Sequence, residues 1–177
     1  KVAVNVLRIF VDESPALAPT PATESALIYI DSLPAYPEVG GGYSELTSSS
    51  LLSGQLDSPE RFFYSRHSVR DYSSRPVARE QILRAVELAS KSPSVCSRQA
   101  WHVYEISDRE KIDRALKYQN GNKGFGHEVP CLLIVTADLR AFDAGYERNQ
   151  PWIDGGMFAM SLVYALHSLG LGSCCLN

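Results

Sequence analysis

"SPSVCSRQAW" (residues 92–101) separates two stretches of opposite periodicity. Before it, "EQILRAVELAS" (80–90) places Ile82, Leu83, Val86 and Ala89 on one face of a helix, and Pro93 bars that helix from continuing. After it, "WHVYEI" (101–106) alternates like a strand. Read alone, the stretch is a connection whose Ser94 and Ser97 satisfy exposed backbone ends while Trp101 fills the core. Read as part of a site, it is one wall of a pocket. Its hydroxyl, amide and backbone groups suit the polar edge of a ring, and Pro93 fixes the path.

Working outward, Asp108 is a cap for a helix "REKIDRALKY" (109–118), with Ile112, Ala115 and Leu116 on its buried face. A glycine-rich loop "QNGNKGFG" (119–126) follows. "CLLIVTA" (131–137) is a continuous apolar run that reads as a strand covered on both faces. Asp154 or the nearby glycines open a long apolar helix, Gly170 and Gly172 end it, and "SCCLN" (173–177) reads as the start of a further strand. Upstream, "PERFFYSRHSVR" (59–70) predicts a helix that ends in a basic turn. This order of elements predicts a layered α/β or α+β domain over residues 60–177. Residues 1–59 differ. From Val11 to about Pro59 the chain is rich in Pro, Ser, Thr and Gly, the composition of an arm or linker, with short elements expected at "KVAVNV" (1–6) and "SALIYI" (25–30).

The 177 residues, 45% hydrophobic and 21% charged, suffice for one substantial core. A net charge of −3 argues against a general affinity for nucleic acid or anionic membrane, which needs a basic surface. Cys96, Cys131, Cys174 and Cys175 form no C-x-x-C pair, so the expectation is reduced thiols in a cytoplasmic protein and no metal site. The most apolar run, residues 155–172, is broken by Ser161, His167, Ser168 and glycines, and falls short of the ~20 residues that span a bilayer. No signal peptide is visible, and the missing initiator Met suggests a fragment or processed chain.

The basic turn "SRHSVRDYS" (65–73) places Arg66, His67, Ser68 and Arg70 within five consecutive residues. Two guanidiniums offer forked donors matched to phosphate oxygens, and a hydroxyl adds another. The plain alternative is a solvated stretch pairing with Asp71 or Glu60.

In combination and in this order, "RHSVR", "PV" before a helix, "SPSVCSRQAW" and "IDGGMFAMSLVYALHSLGLGSCCLN" resemble the nitroreductase family of flavin enzymes. That family carries R-R-S-x-R, then P-V, then A-P-S-x-x-N-x-Q-P-W, then an Asp before a small-residue helix ending in G-L-G. The resemblance covers roughly Phe62 to Asn177 and is nearest to the branch found alongside polysaccharide biosynthesis. It implies an α+β fold, a nitroreductase-like three-layer α/β/α sandwich whose C-terminal part is missing from this chain. It also implies FMN at the interface of a homodimer, NAD(P)H as electron donor and a small organic acceptor. Arg66 and Ser68 would hold the phosphate end, with His67 beside them and Arg70 toward the pyrimidine edge. Pro93, Ser94 and Ser97 would approach the ring from the partner subunit. Asn122 and Asn177 would lie near the ring, Asn177 by N5. No side chain is assigned as general acid or base, since the flavin carries the hydride.

Ser97 stands where the family has Asn, and Ala100 where it has Pro. Ser97, with the family's later segments missing from this chain, keeps open a second reading, a nitroreductase-like protein that has lost turnover and serves as a binding or interaction module. Thiol chemistry at the adjacent Cys174 and Cys175 is a lesser rival, because neighbouring cysteines barely meet disulfide geometry. No G-x-S-x-G elbow supports hydrolysis.

Overall fold

The computed structural model describes residues 21–33, 46–142 and 145–176. "KVAVNV" and Asn177 therefore lie outside the described residues. The chain divides into two units, residues 1–55 and residues 56–177. In the first, α1 (Pro21–Ser32) contains "SALIYI", and α2 (Ser48–Leu52) opens on a capping box. There the Thr47 hydroxyl accepts the Ser50 N–H and the Ser50 hydroxyl accepts the Thr47 N–H, each at 3.1 Å. Ser/Thr content that reads as linker thus supplies helix caps, although α2 buries no residue.

The second unit begins with α3 (Pro59–Ser65), which carries Pro in its first turn and stops where Arg66 turns extended. Helix α4 (Arg79–Ala89) buries Ile82, Ala85 and Ala89, while Leu83, expected on that face, is 56% exposed. The i, i+3, i+7 row wins over a wider stripe because small Ala85 and Ala89 permit close approach to the neighbouring helix. Strand β1 (Trp101–Ile106) pairs antiparallel with β2 (Leu132–Ala137), Trp101 opposite Ala137 and Ile106 opposite Leu132. Between them α5 (Arg109–Leu116) starts at Asp108, whose carboxyl accepts the Lys111 N–H at 3.0 Å as the sequence predicts. Helix α6 (Gln150–Ser168) closes the set.

Strand parity builds the layers. Odd-numbered Trp101, Val103, Leu133 and Val135 pack with α4 and α6 around Ile82, Ala85, Phe158 and Leu162. Even-numbered Ile106 and Leu132 join Ile112 and Leu116 of α5, with Phe125 and Val129. Helices therefore cover both faces, the α/β/α arrangement expected. Coverage of β2 is less complete than its apolar run predicts: Leu132 packs toward α5, whereas Ile134 is 38% exposed and Thr136 is exposed. Burial beside Glu105 pushes the Cys131 thiol up to about 11, desolvation being the larger cause.

Helix α6 starts earlier than the sequence suggests, at Gln150 with Pro151 in its first turn, so Asp154 lies inside the helix and does not open it. Its end is as read. Gly170 adopts φ 76°, its N–H donates to His167 O at 3.0 Å, and the Leu171 N–H donates to Leu166 O at 2.9 Å. Beyond it, residues 171–176 form no strand among the described residues; Ser173 makes one parallel bridge to Ser68.

Candidate functional site

Aromatic packing on α6 places the basic turn. Phe62 lies against Tyr164 and His167 at centroid distances of 5.8 and 5.1 Å, and His167 Nε2 lies 3.1 Å from Phe62 O and 3.0 Å from Ser65 Oγ. These contacts fasten α3 to the end of α6, so the next residue, Arg66, leaves from a fixed point. The far side of the turn is tied to the tail, where the Val69 N–H donates to Ser173 O at 3.0 Å. Gly172 makes this approach feasible, since a Cβ there would meet the Val69 side chain at 2.8 Å.

Arg66 is half-buried, and His67, Ser68 and Arg70 are exposed. Among the described residues none of these four side chains holds a hydrogen bond or ion pair, and neither arginine pairs with Asp71 or Glu60. The turn thus presents two guanidiniums, an imidazole and a hydroxyl with no acceptor among the described residues.

The collar, residues 92–101, is built differently. Cys96, Ser97 and Gln99 have φ of 50°, 51° and 50°, left-handed backbone that non-glycine residues seldom adopt. Local bonds close it. The Gln99 N–H donates to Ser94 Oγ at 2.9 Å, and the Gln99 side-chain amide donates to Ser90 O at 2.9 Å. Arg98 pairs with Glu147 at 2.9 Å and also donates to Ala141 O at 2.8 Å. At its entry the Val95 N–H donates to Asp154 Oδ2 at 3.1 Å. Pro93 and Ser97 are exposed, Ser94 is half-buried, and Trp101 fills the core against Phe158. The connection reading is met at Ser94, which satisfies a backbone group, and at Trp101, while Ser97 remains on the surface and makes no such bond among the described residues.

Asn122 has an internal task. Its amide donates to Leu116 O, Gln119 O and Gln119 Oε1 at 2.9, 2.6 and 3.1 Å, capping the end of α5, so its donors are spent on the loop. Sequence reasoning did not find the roles of Gln99 or Asp154. The available signal was a lone carboxylate in an otherwise uncharged helix, beside two glycines.

A cavity of about 1380 Å³ runs along β2, one side of α6 and residues 170–176, and reaches the basic turn at Val69, Asp71, Tyr72 and Ser73. None of Arg66, His67, Ser68, Arg70, Pro93, Ser94, Ser97 or Asn122 lines it. Its walls are mostly apolar, so the donor set, and not the cavity, marks the candidate anion site. Among the described residues no cluster of His, Cys, Asp or Glu could hold a metal ion, and no helix is long and apolar enough to cross a membrane.

The nitroreductase family model matches residues 64–122, from the end of α3 to the loop after α5. A protein of Archaeoglobus fulgidus, named as a candidate NADH dehydrogenase/NAD(P)H nitroreductase, is 29% identical over 117 residues, which are 64% of this chain and 63% of the relative. The NADH dehydrogenase of Thermus thermophilus is 26% identical over 139 residues, 61% of this chain and 67% of that protein. Among solved structures, a nitroreductase family protein from Streptococcus pneumoniae superposes with a TM-score of 0.56 at 20% identity, covering 63% of this chain and 72% of that one. Nitroreductase A from Vibrio parahaemolyticus gives 0.57 at 20% identity, with 67% and 54% covered. The chain thus spans less than two thirds of the Archaeoglobus relative. Over residues 64–122 the chain is similar to the nitroreductase family model, and its fold is that of solved nitroreductase family proteins.

Proposed function

We propose that this chain is an FMN-dependent oxidoreductase of the nitroreductase type, passing hydride from NAD(P)H through FMN to a small organic acceptor. The observation that carries this reading is the basic turn: Arg66, His67, Ser68 and Arg70, braced at both ends and without an internal acceptor among the described residues. That donor chemistry fits a phosphate. Arg66 and Ser68 would hold the phosphate end, Arg70 would reach the pyrimidine edge, and Pro93, Ser94 and Ser97 would line the ring. When bound, FMN supplies the two-electron chemistry, and the side chains supply placement. Asn122 is assigned to the loop, because its amide protons are already committed. On the motif likeness alone, the proposal extends to the branch found alongside polysaccharide biosynthesis. The four free thiols accord with a cytoplasmic setting. Purified protein should carry the flavin absorption bands and oxidise NAD(P)H when given an acceptor. Protein that takes up no FMN at micromolar cofactor would overturn the reading. Bound flavin without NAD(P)H oxidation would select the alternative, a family member retained as a binding module.

A homodimer is part of the proposal. Opposite its core face, α6 shows Trp152 at 82%, Ile153 at 50%, Met157 at 36% and Met160 at 39% exposure, an apolar strip at helical spacing with no charge. A second copy of the chain would cover this strip, bringing each collar toward the partner's flavin. Sedimentation should give a dimer at micromolar concentration; a monomer with and without FMN would remove it.

Ser97 tests the collar directly. Asn tolerates left-handed backbone better than Ser, and its amide can donate and accept at a ring edge. Ser97→Asn should therefore raise the apoprotein's melting temperature slightly and tighten FMN binding by about 1 kcal/mol, the usual net value of one hydrogen bond. Flavin titration and thermal melts of the apoprotein read the two effects separately. A melting gain with unchanged FMN affinity would make the collar a purely structural loop.

A further inference from the structure

Asp154 is 1% exposed, in the second turn of α6 between Ile153 and two glycines. A buried carboxyl is costly unless its oxygens find donors, and here each does. Oδ2 accepts the Val95 N–H at 3.1 Å and Oδ1 accepts the Gln150 amide at 2.8 Å. Val95 is the last residue before Cys96, where the backbone turns left-handed. Left-handed turns at Cys96, Ser97 and Gln99 persist only if the surroundings over-determine them. The bonds from Gln99 to Ser90 and Ser94 hold the exit of the loop, and Arg98 holds its crown to Glu147 and Ala141. At the entry, the bond from Val95 to Asp154 crosses to the buried face of α6, 59 residues away in sequence.

We propose that Asp154 is a positioning residue, a latch that fixes the entry of the left-handed collar to the head of α6, so that Ser94 and Ser97 are arranged before any ligand arrives. Its consequence for FMN rests on the function proposed above; the latch itself does not. The acceptor oxygen, and not the charge, is the operative feature. Asp154→Asn keeps an oxygen for the Val95 N–H, and Gln150 can turn its carbonyl toward the new amide. Asp154→Ala removes both bonds.

Limited trypsin digestion of the full chain reads the latch without flavin. Arg98 lies in the collar, whereas Arg84 in α4 and Arg114 in α5 report on the rest of the fold. In Asp154→Ala, cleavage after Arg98 should rise about tenfold with Arg84 and Arg114 within about twofold of wild type, the pattern of local opening. FMN affinity should fall about tenfold, while Asp154→Asn stays within about threefold of wild type in both measurements. Unchanged cleavage at Arg98 in Asp154→Ala would overturn the proposal. So would equal acceleration at all three sites, which marks a merely structural residue, or an Asp154→Asn variant as impaired as Asp154→Ala. Wild-type protein that takes up no FMN would remove the flavin reading alone, and the order of cleavage rates would still decide the latch.

Discussion

Arg66→Ala and Arg70→Ala should each weaken FMN binding about tenfold to a hundredfold, because each removes a charge-assisted donor contributing ~1.5 to 3 kcal/mol at the phosphate or ring. Neither arginine holds an ion pair or hydrogen bond among the described residues, so neither change breaks an existing bond of the fold. Thermal unfolding of the apoproteins should stay close to wild type, with a small loss allowed at Arg66 for the packing of its half-buried stem. Arg66→Lys should fall between, retaining charge but not the two-pronged fork. Flavin titration by fluorescence quenching provides the affinities. Unchanged affinity in both alanine variants would refute the phosphate assignment, whatever else the protein binds.

Phe158→Ala should cost about 3 to 5 kcal/mol of stability, the range for removing a large aromatic from a packed core. Phe158 is 0% exposed at the centre of α6 and stacks on Trp101 at 4.7 Å with the rings 17° apart. It therefore joins the helix carrying Asp154 to the strand that leaves the collar, and its loss opens a cavity between the two. Urea unfolding followed by tryptophan fluorescence is well suited to the measurement, because Trp101 is half-buried at this contact whereas Trp152 is 82% exposed. A loss below about 1 kcal/mol would mean that the layer collapses around the gap and that Phe158 is not the keystone of this contact. For a domain of ordinary marginal stability the expected loss is a large fraction of the total, so FMN should rescue part of it if cofactor binds only the folded state.

Much of this fold was legible because its signals are local. Asp108 caps α5 through an N–H three residues on, Gly170 ends α6 because glycine bears a positive φ, and Pro93 stops what precedes it. Strand β1 is a short alternating run, and the basic turn follows a short aromatic helix, as its order along the chain indicates. The nitroreductase resemblance rests on such pieces and on their order. Tertiary structure decided what depends on distant partners. In sequence, Asp154 or the nearby glycines open α6; in the fold the helix begins at Gln150, which buries the carboxyl where Val95 can reach it. Asn122 read as a ligand or a turn residue; its amide protons go to carbonyls at the end of α5, a choice set by how the loop closes. Leu83 counted toward the buried face, yet the approach of α6 to α4 favours small Ala85 and Ala89 and leaves Leu83 outside. The left-handed collar is the clearest case. Nothing in Cys96, Ser97 or Gln99 asks for positive φ, and it holds because Asp154, Glu147 and Ser90, brought from three separate segments, each fasten one part of it.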